Sequence, residues 1–198
     1  MRVLAIDTAS PLPTVAVVST ELEAELPILS GAAENLVRCA RELLALHRLT
    51  VADLGAVAAV SGPGSFTGLR AGIAFARGLA RAREVPFLLG STFRAASAAL
   101  PAPARLDLLL DAGRGDVYRA RRRGGALEEE PSPLRRDAAL EEAGAEGCAI
   151  FDLDAQPRRL AVALGRLAVA GALAAGDAPR YGRPSAAEEK MTAPGAVR

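Results

Sequence analysis

Two aspartates and one glycine-rich loop are the residues best suited to chemistry. Asp7 and Asp111 each close a short apolar run. Two carboxylates facing one another across a cleft would suit a magnesium nucleotide, because magnesium favours carboxylate oxygens together with phosphates. Asp also commonly caps turns, which is the plainer reading of both. Residues 61–70, SGPGSFTGLR, follow an apolar run and open a helical pattern, a setting in which backbone amides can hold an anion. The stretch lacks the G-K-[ST] ending of a nucleoside-triphosphate loop and the spacing of a dinucleotide fingerprint, so a tight packing turn competes with an anion site.

Other chemistries lack their residues. His47 is the single histidine, which leaves no H-x-x-x-H metal pair and no partner for a triad. Lys190 is the single lysine, so lysine nucleophiles and phosphate-loop lysines have almost no candidate. Cys39 and Cys148 are distant and outside any C-x-x-C pattern, which reads as free thiols and no zinc site. The 198 residues carry 24 basic against 23 acidic side chains, a net charge of +1, so binding of nucleic acid or anionic lipid by bulk charge is not expected. Aromatic content of 4% without tryptophan offers no stacking platform for single-stranded RNA. The longest apolar run, residues 167–175, is half of a membrane span, and the opening residues reach Asp7 too soon for a secretory leader. A cytoplasmic protein without membrane contact is expected.

These residues must be positioned by a mixed α/β scaffold. Residues 2–7 and 14–18 read as a hairpin, with a third strand over 23–29. A helix capped by Ser30 runs to about Leu46; Ala56–Val60 is a strand buried on both faces. The glycine loop leads into a helix over 69–83 with Thr67 as cap, then a strand over 86–89 and a helix over 91–100. Pro101-Ala102-Pro103 marks a boundary between units 1–100 and 104–198. Beyond it the opening recurs: a strand over 105–110 ending at Asp111, a tight turn, and a strand from Val117 to about Arg122, which suggests a duplicated lobe. A polar loop over 128–133, helices over 134–144 and 158–175 and a strand over 148–153 follow, with a mobile tail from about 185. Arg119, Arg121, Arg122 and Arg123 read as a solvated strand edge, charged against edge pairing.

Two helices look too apolar to be covered on one side only. In the second, Gly68, Gly72 and Ala76 recur every four residues beside Leu69 and Ile73, leaving a narrow stripe of Arg70, Arg77 and Arg81. In the first, Leu36, Val37, Ala40, Leu43 and Leu44 fall at helical spacing. Either their own chain covers these faces or a partner does.

Four stretches carry a resemblance: LAIDTAS at the start, SGPGSFTGLRAG over 61–72, LDAGRGDVY over 110–118 and PRYGRP over 179–184. Together they resemble the bacterial TsaB family, also called YeaZ, whose members act in threonylcarbamoyladenosine modification of tRNA. The resemblance implies an actin-like (ASKHA, ribonuclease H-like) fold of two related lobes, the second reduced. It implies a non-catalytic scaffold that activates the TsaD paralogue, with the ATPase TsaE joining and tRNA as substrate of the complex. It places the partner contact, with TsaD or in a homodimer, on Leu36, Val37, Ala40, Leu43, Leu44, Leu69, Gly72, Ile73 and Ala76. The loop Gly62, Pro63, Gly64, Ser65, Thr67, Gly68 and Arg70 is the family motif, and Asp7, Thr8 and Asp111 form a vestigial nucleotide site. No cofactor is required by the chain; ATP and magnesium belong to the complex. On this basis Gly72→Arg or Leu43→Glu is expected to abolish docking and spare the fold. A weak magnesium-dependent ATPase and a homodimeric interaction module unrelated to tRNA are the rival readings. The proline-rich turn at residues 10–13, Gly182 and the short second lobe depart from the family.

Overall fold

A computed structural model of the protein describes residues 1–29, 32–100, 105–130 and 132–175. The Ser30 cap, the boundary at 101–103, the motif at 179–184 and the tail from 185 lie outside the described residues. The first lobe begins with the meander β1 (Val3–Asp7), β2 (Thr14–Val18) and β3 (Glu23–Pro27), all antiparallel. After α1 (Ala32–Leu46) and a 3-10 turn at Val51–Asp53, β4 (Ala56–Val60) returns parallel to β1. Then α2 (Phe66–Arg83) leads to β5 (Phe87–Gly90), parallel to β4, and α3 (Thr92–Ala99). Every residue of β1, β2 and β4 is buried, which is why these strands read as continuous apolar runs without alternation.

The second lobe repeats this opening. Strands β6 (Arg105–Gly113), β7 (Asp116–Arg123) and β8 (Ala126–Glu129) form an antiparallel meander, extended by β9 (Leu134–Arg135) on β7. After α4 (Arg136–Ala145), β10 (Ala149–Asp152) lies parallel to β6, so the order β10-β6-β7-β8 mirrors β4-β1-β2-β3. The expected duplication therefore extends over four strands, and the second sheet lacks the counterpart of β5. This is the expected actin-like arrangement of two related lobes with the second reduced. The polar loop expected over 128–133 is partly the strand β8, whose Glu128 and Glu129 lie against the arginines of β7.

The long helix expected over 158–175 is much shorter. Helix α5 spans Ala161–Val169, Gly171 takes a φ of 69°, and β11 (Ala174–Ala175) pairs with β5. Alanine and leucine keep helical spacing through this region, so only the positive φ that glycine tolerates and the waiting edge of β5 turn the chain out of the helix. Helix α5 packs on β1 and β2, so the chain returns to the first lobe after building the second. Its Gly165 would drive a Cβ to 2.4 Å from Val18 Cγ2, while on the opposite face of the sheet a Cβ on Gly72 would stand 3.4 Å from Ile6. Helices α2 and α5 thus sandwich β1.

The two faces of the second sheet differ. Leu106, Leu108, Leu110 and Ala120 join the same buried core as the first lobe. The other face has only Leu109, Val117 and Ala139 with Leu134 beside them, and is otherwise ionic. Arg119, Arg121 and Arg123 alternate along β7 and point at α4, where Arg119 meets Glu142 at 2.9 Å and Glu130 at 3.1 Å. Arg121 meets Glu142 at 2.6 Å, and Arg123 meets the buried Asp107 at 2.8 Å and Glu146 at 2.9 Å. Arg122 points the other way and donates to the Ser97 carbonyl of α3 at 3.0 Å. The expected solvated edge is therefore overturned: β7 has neighbours on both sides, and Arg119 is only 3% exposed. A run of charge says nothing about strand order; here opposite charges on three other segments neutralise it.

Helix α2 lies unusually close to the end of β1. A Cβ on Gly68 would fall 1.8 Å from the Thr8 carbonyl oxygen, and one on Gly72 would fall 2.2 Å from Thr8 Oγ1, whereas one on Gly78 would meet nothing within 4 Å. Overpacking costs about 1–3 kcal/mol, and Gly→Ala in an open helix interior gains about 0.5–1 kcal/mol. Gly68→Ala and Gly72→Ala are therefore expected to lower the midpoint of thermal unfolding, and Gly78→Ala to raise it. Calorimetry of the three variants against the wild type checks this order.

Candidate functional site

The candidate residues converge where β1 ends and α2 begins. Asp7 is fully buried, and its Oδ1 accepts from the backbone N–H of Ala9 at 3.0 Å and of Ser10 at 3.1 Å, while the Ser10 hydroxyl donates to Oδ2. Burial pushes its carboxyl above the usual carboxylate range, with these hydrogen bonds pulling the other way. The Thr8 hydroxyl donates to the Gly68 carbonyl at 2.6 Å and is likewise buried. Asp111 is exposed instead; its carboxylate accepts from Gly113 N–H at 3.2 Å and its own N–H donates to Asp154 at 2.5 Å. Burial raises the Asp154 carboxyl, with Asp152 and Asp111 adding to the effect. The related strand ends therefore diverge: one aspartate is sealed into its turn and the other faces water. A symmetric pair of open carboxylates is not formed, because both oxygens of Asp7 are engaged within its own turn. Among the described residues, no group of three or more His, Cys, Asp or Glu side chains is placed to hold a metal ion.

The motif loop is stitched to the same place. Gly64 takes a φ of 150° and a Cβ there would lie 2.4 Å from the Ala9 carbonyl oxygen, to which Ser65 N–H donates at 2.9 Å. Ser65, not Thr67, caps α2, its hydroxyl accepting from Gly68 N–H at 3.2 Å; Thr67 is an exposed residue of the first turn. On the other side, the Gly62 and Pro63 carbonyls accept from the Thr92 N–H at 3.0 Å and hydroxyl at 2.6 Å. Two of the amides an anion would use, those of Ser65 and Gly68, are thus already donated. The loop acts as a packing turn, and Arg70 leans out over the Phe66 ring at 4.2 Å. Sequence reasoning singled out neither Thr92 nor Ser91, whose hydroxyl donates to Glu129 of the second lobe; a lone Ser-Thr pair before a helix signals a cap and nothing more.

The helix faces are arranged differently from the expectation. Leu36, Ala40, Leu43, Leu44, Leu69, Gly72, Ile73 and Ala76 are all buried by the chain's own sheet and by one another; of the nine expected contact residues only Val37 is exposed, at 48%. The apolar stripe faces β1, β2 and β4, since in a single layer of helices over a buried sheet the core takes the apolar side. Arg70, Ala74, Arg77, Gly78 and Arg81 form the outward side of α2, and Arg38, Arg41 and Glu42 flank Val37 on α1. Gly72→Arg and Leu43→Glu would therefore break the fold itself. His47 is exposed just past α1, as a helix-end residue.

The sealed Asp7 has a pH consequence. Its folded-state value lies above the ordinary 3.8, so the folded chain holds this proton more tightly than the unfolded chain. Stability from this group is greatest at acid pH and is lost as pH rises through the folded value. Asp7→Asn keeps the acceptor for Ala9 and Ser10 without ionising. It is expected to unfold at higher denaturant than the wild type at pH 7, with the difference shrinking as pH falls towards 4; equal gaps at both pH values would refute the assignment.

Comparison with known proteins agrees with this geometry. Residues 31–144 match the family model described as TsaD: tRNA N6-adenosine threonylcarbamoyltransferase. The tRNA threonylcarbamoyladenosine biosynthesis protein TsaB of Escherichia coli is 32% identical over 123 residues, covering 60% of this chain and 53% of that protein. An uncharacterised protein of Mycobacterium tuberculosis is 41% identical over 92 residues, 42% of each chain. The chain thus spans about half the length of the curated relatives it matches. Among solved structures, a Pseudomonas aeruginosa protein described as similar to peptidase YeaZ superposes with a TM-score of 0.73 at 21% identity, covering 92% of this chain and 99% of that one. YeaZ from the same organism superposes at 0.65 and 23%, covering 86% and 90%; at these identities the two show a shared fold. No helix among the described residues is long and apolar enough to cross a membrane. With more than half of its length matched by that model, the chain belongs to the TsaD family of tRNA threonylcarbamoyladenosine proteins, among its TsaB (YeaZ)-like members.

Proposed function

We propose that the chain is a non-catalytic subunit that docks on a TsaD-type threonylcarbamoyltransferase through α1 and α2 and activates it in forming threonylcarbamoyladenosine next to the tRNA anticodon. The observation that carries the reading is the outward side of α2. On an 18-residue helix, Ala74 and Gly78 stand exposed beside half-buried Ala71 and Phe75, so another helix can approach its backbone closely. The contact surface is the outer side of the two helices, with Val37 from α1, in place of the buried stripe. The sealed Asp7 and the occupied loop amides support assigning ATP and magnesium to other members of the complex, TsaE among them. A homodimer would use the same face and compete with the TsaD-type partner.

Ala74→Trp and Val37→Arg alter this outer side without entering the core. Each is expected to abolish co-purification with the TsaD-type paralogue of the same genome and to remove the chain's stimulation of tRNA modification in a reconstituted reaction, with an unchanged unfolding midpoint. Wild-type affinity and stimulation in both variants would refute the proposal.

A further inference from the structure

The charge on this face selects among its possible occupants. Helices α1 and α2 together contain Arg38, Arg41, Arg70, Arg77, Arg81 and Arg83 against Glu34 and Glu42, in a chain whose net charge is +1. Local contacts account for part of this excess. Arg38 meets Glu42 at 3.4 Å, and Arg83 is spent on the carbonyls of Val51 and Ala52 at 3.0 and 3.2 Å. Arg81 lies in the last turn of α2, where the helix dipole favours a cation. Arg70 has no such local reason. It stands near the positive end of α2, whose first turn holds no acidic residue, and its guanidinium is held outward over Phe66. Among the described residues no carboxylate lies within ion-pair distance of Arg41, Arg70 or Arg81.

Resting on the docking reading above, we infer that the outer face of α1 and α2 is built for an acidic helical surface of a different chain, and that a second copy of this chain is disfavoured there by like charge. Arg70, Arg77 and Arg81 share one side of α2, about 10 Å and about 6 Å apart along the axis at 1.5 Å per residue. Beside them run Ala74 and Gly78, with half-buried Ala71. Small residues admit a neighbouring helix, and the arginine row meets carboxylates placed four and seven residues apart on it. A symmetric pairing of two such faces brings arginine towards arginine across a narrowly spaced contact, which opposes association at low ionic strength. RNA fits the face less well: the aromatic side chains of α2, Phe66 and Phe75, are half-buried, and the Phe66 ring already lies under Arg70.

The test uses the full chain, its Arg70→Glu/Arg81→Glu variant and the TsaD-type paralogue of the same genome. Wild-type affinity for the paralogue is expected to fall tenfold or more between about 50 and about 500 mM NaCl, and the double variant to bind tenfold or more weakly at low salt, with the gap closing at high salt. By sedimentation, neither form alone should dimerise at low salt as strongly as an equimolar mixture of the two. Binding to the paralogue that ignores both salt and charge reversal, or a wild-type dimer that tightens as salt is lowered, would overturn the inference while leaving the docking reading intact. Absence of any complex with the paralogue would refute the docking reading and this inference together. If the double variant loses affinity for an anticodon stem-loop RNA and keeps it for the paralogue, the face belongs to RNA and the inference fails.

Discussion

The structure depends on the contact between the end of β1 and the start of α2. Thr8 donates its hydroxyl to the Gly68 carbonyl, and neither Gly68 nor Gly72 has a side chain to hold the two segments apart. That approach fixes where the motif loop lies, since Gly64 and Ser65 must then settle on Ala9, and it seals Asp7 beneath the turn. One backbone-to-backbone approach thus determines both the position of the family motif and the loss of the open carboxylate that a nucleotide site would use. The glycines usually associated with binding loops are here needed for close packing.

The second lobe depends on the first in a different way. Its inward face contributes leucines to the shared core, while its outward face is held mainly by arginines of β7 against glutamates of α4 and the 130 region, with Asp107 beneath. Buried ion pairs add little net stability compared with apolar packing, but removing one partner leaves an uncompensated charge. The lobe is therefore specified by pairing more than by burial. Its attachment also includes polar contacts, Ser91 with Glu129 and Arg122 with Ser97, which join α3 to the second sheet. With α5 returning to β1 and β2, the chain encloses the first sheet from both sides and leaves the outer surface of α1 and α2 as the helical layer open to a partner.

Much of this was legible in the residues. The apolar runs placed β1, β2, β4 and β6 to within a few positions, the helical spacing placed α1 and α2, and the strand-Asp-turn-strand unit at residues 2–18 and 105–122 announced the duplication that the sheets complete. The motifs carried the family. Where reading failed, a tertiary partner was the missing quantity. The run of arginines on β7 became an interior ion-pair network because α4 and β8 bring glutamates to it, and the helix after residue 158 broke at Gly171 because β5 offered an edge.

The sequence by itself determined the element types, the repeated topology and the family, since periodicity and short motifs are local properties of the chain. Only the tertiary structure decided which side of each helix is hidden. Amphipathic spacing reports that α1 and α2 have an apolar side, and it cannot say whether a sheet of the same molecule or another polypeptide covers it. The sheet does, because β1, β2 and β4 need cover on both faces, and this turns the small residues and arginines outward. Likewise Asp7 and Asp111 end equivalent strands, yet α2 closes over one while the other stays in water; equal local sequence cannot encode that difference, and packing does.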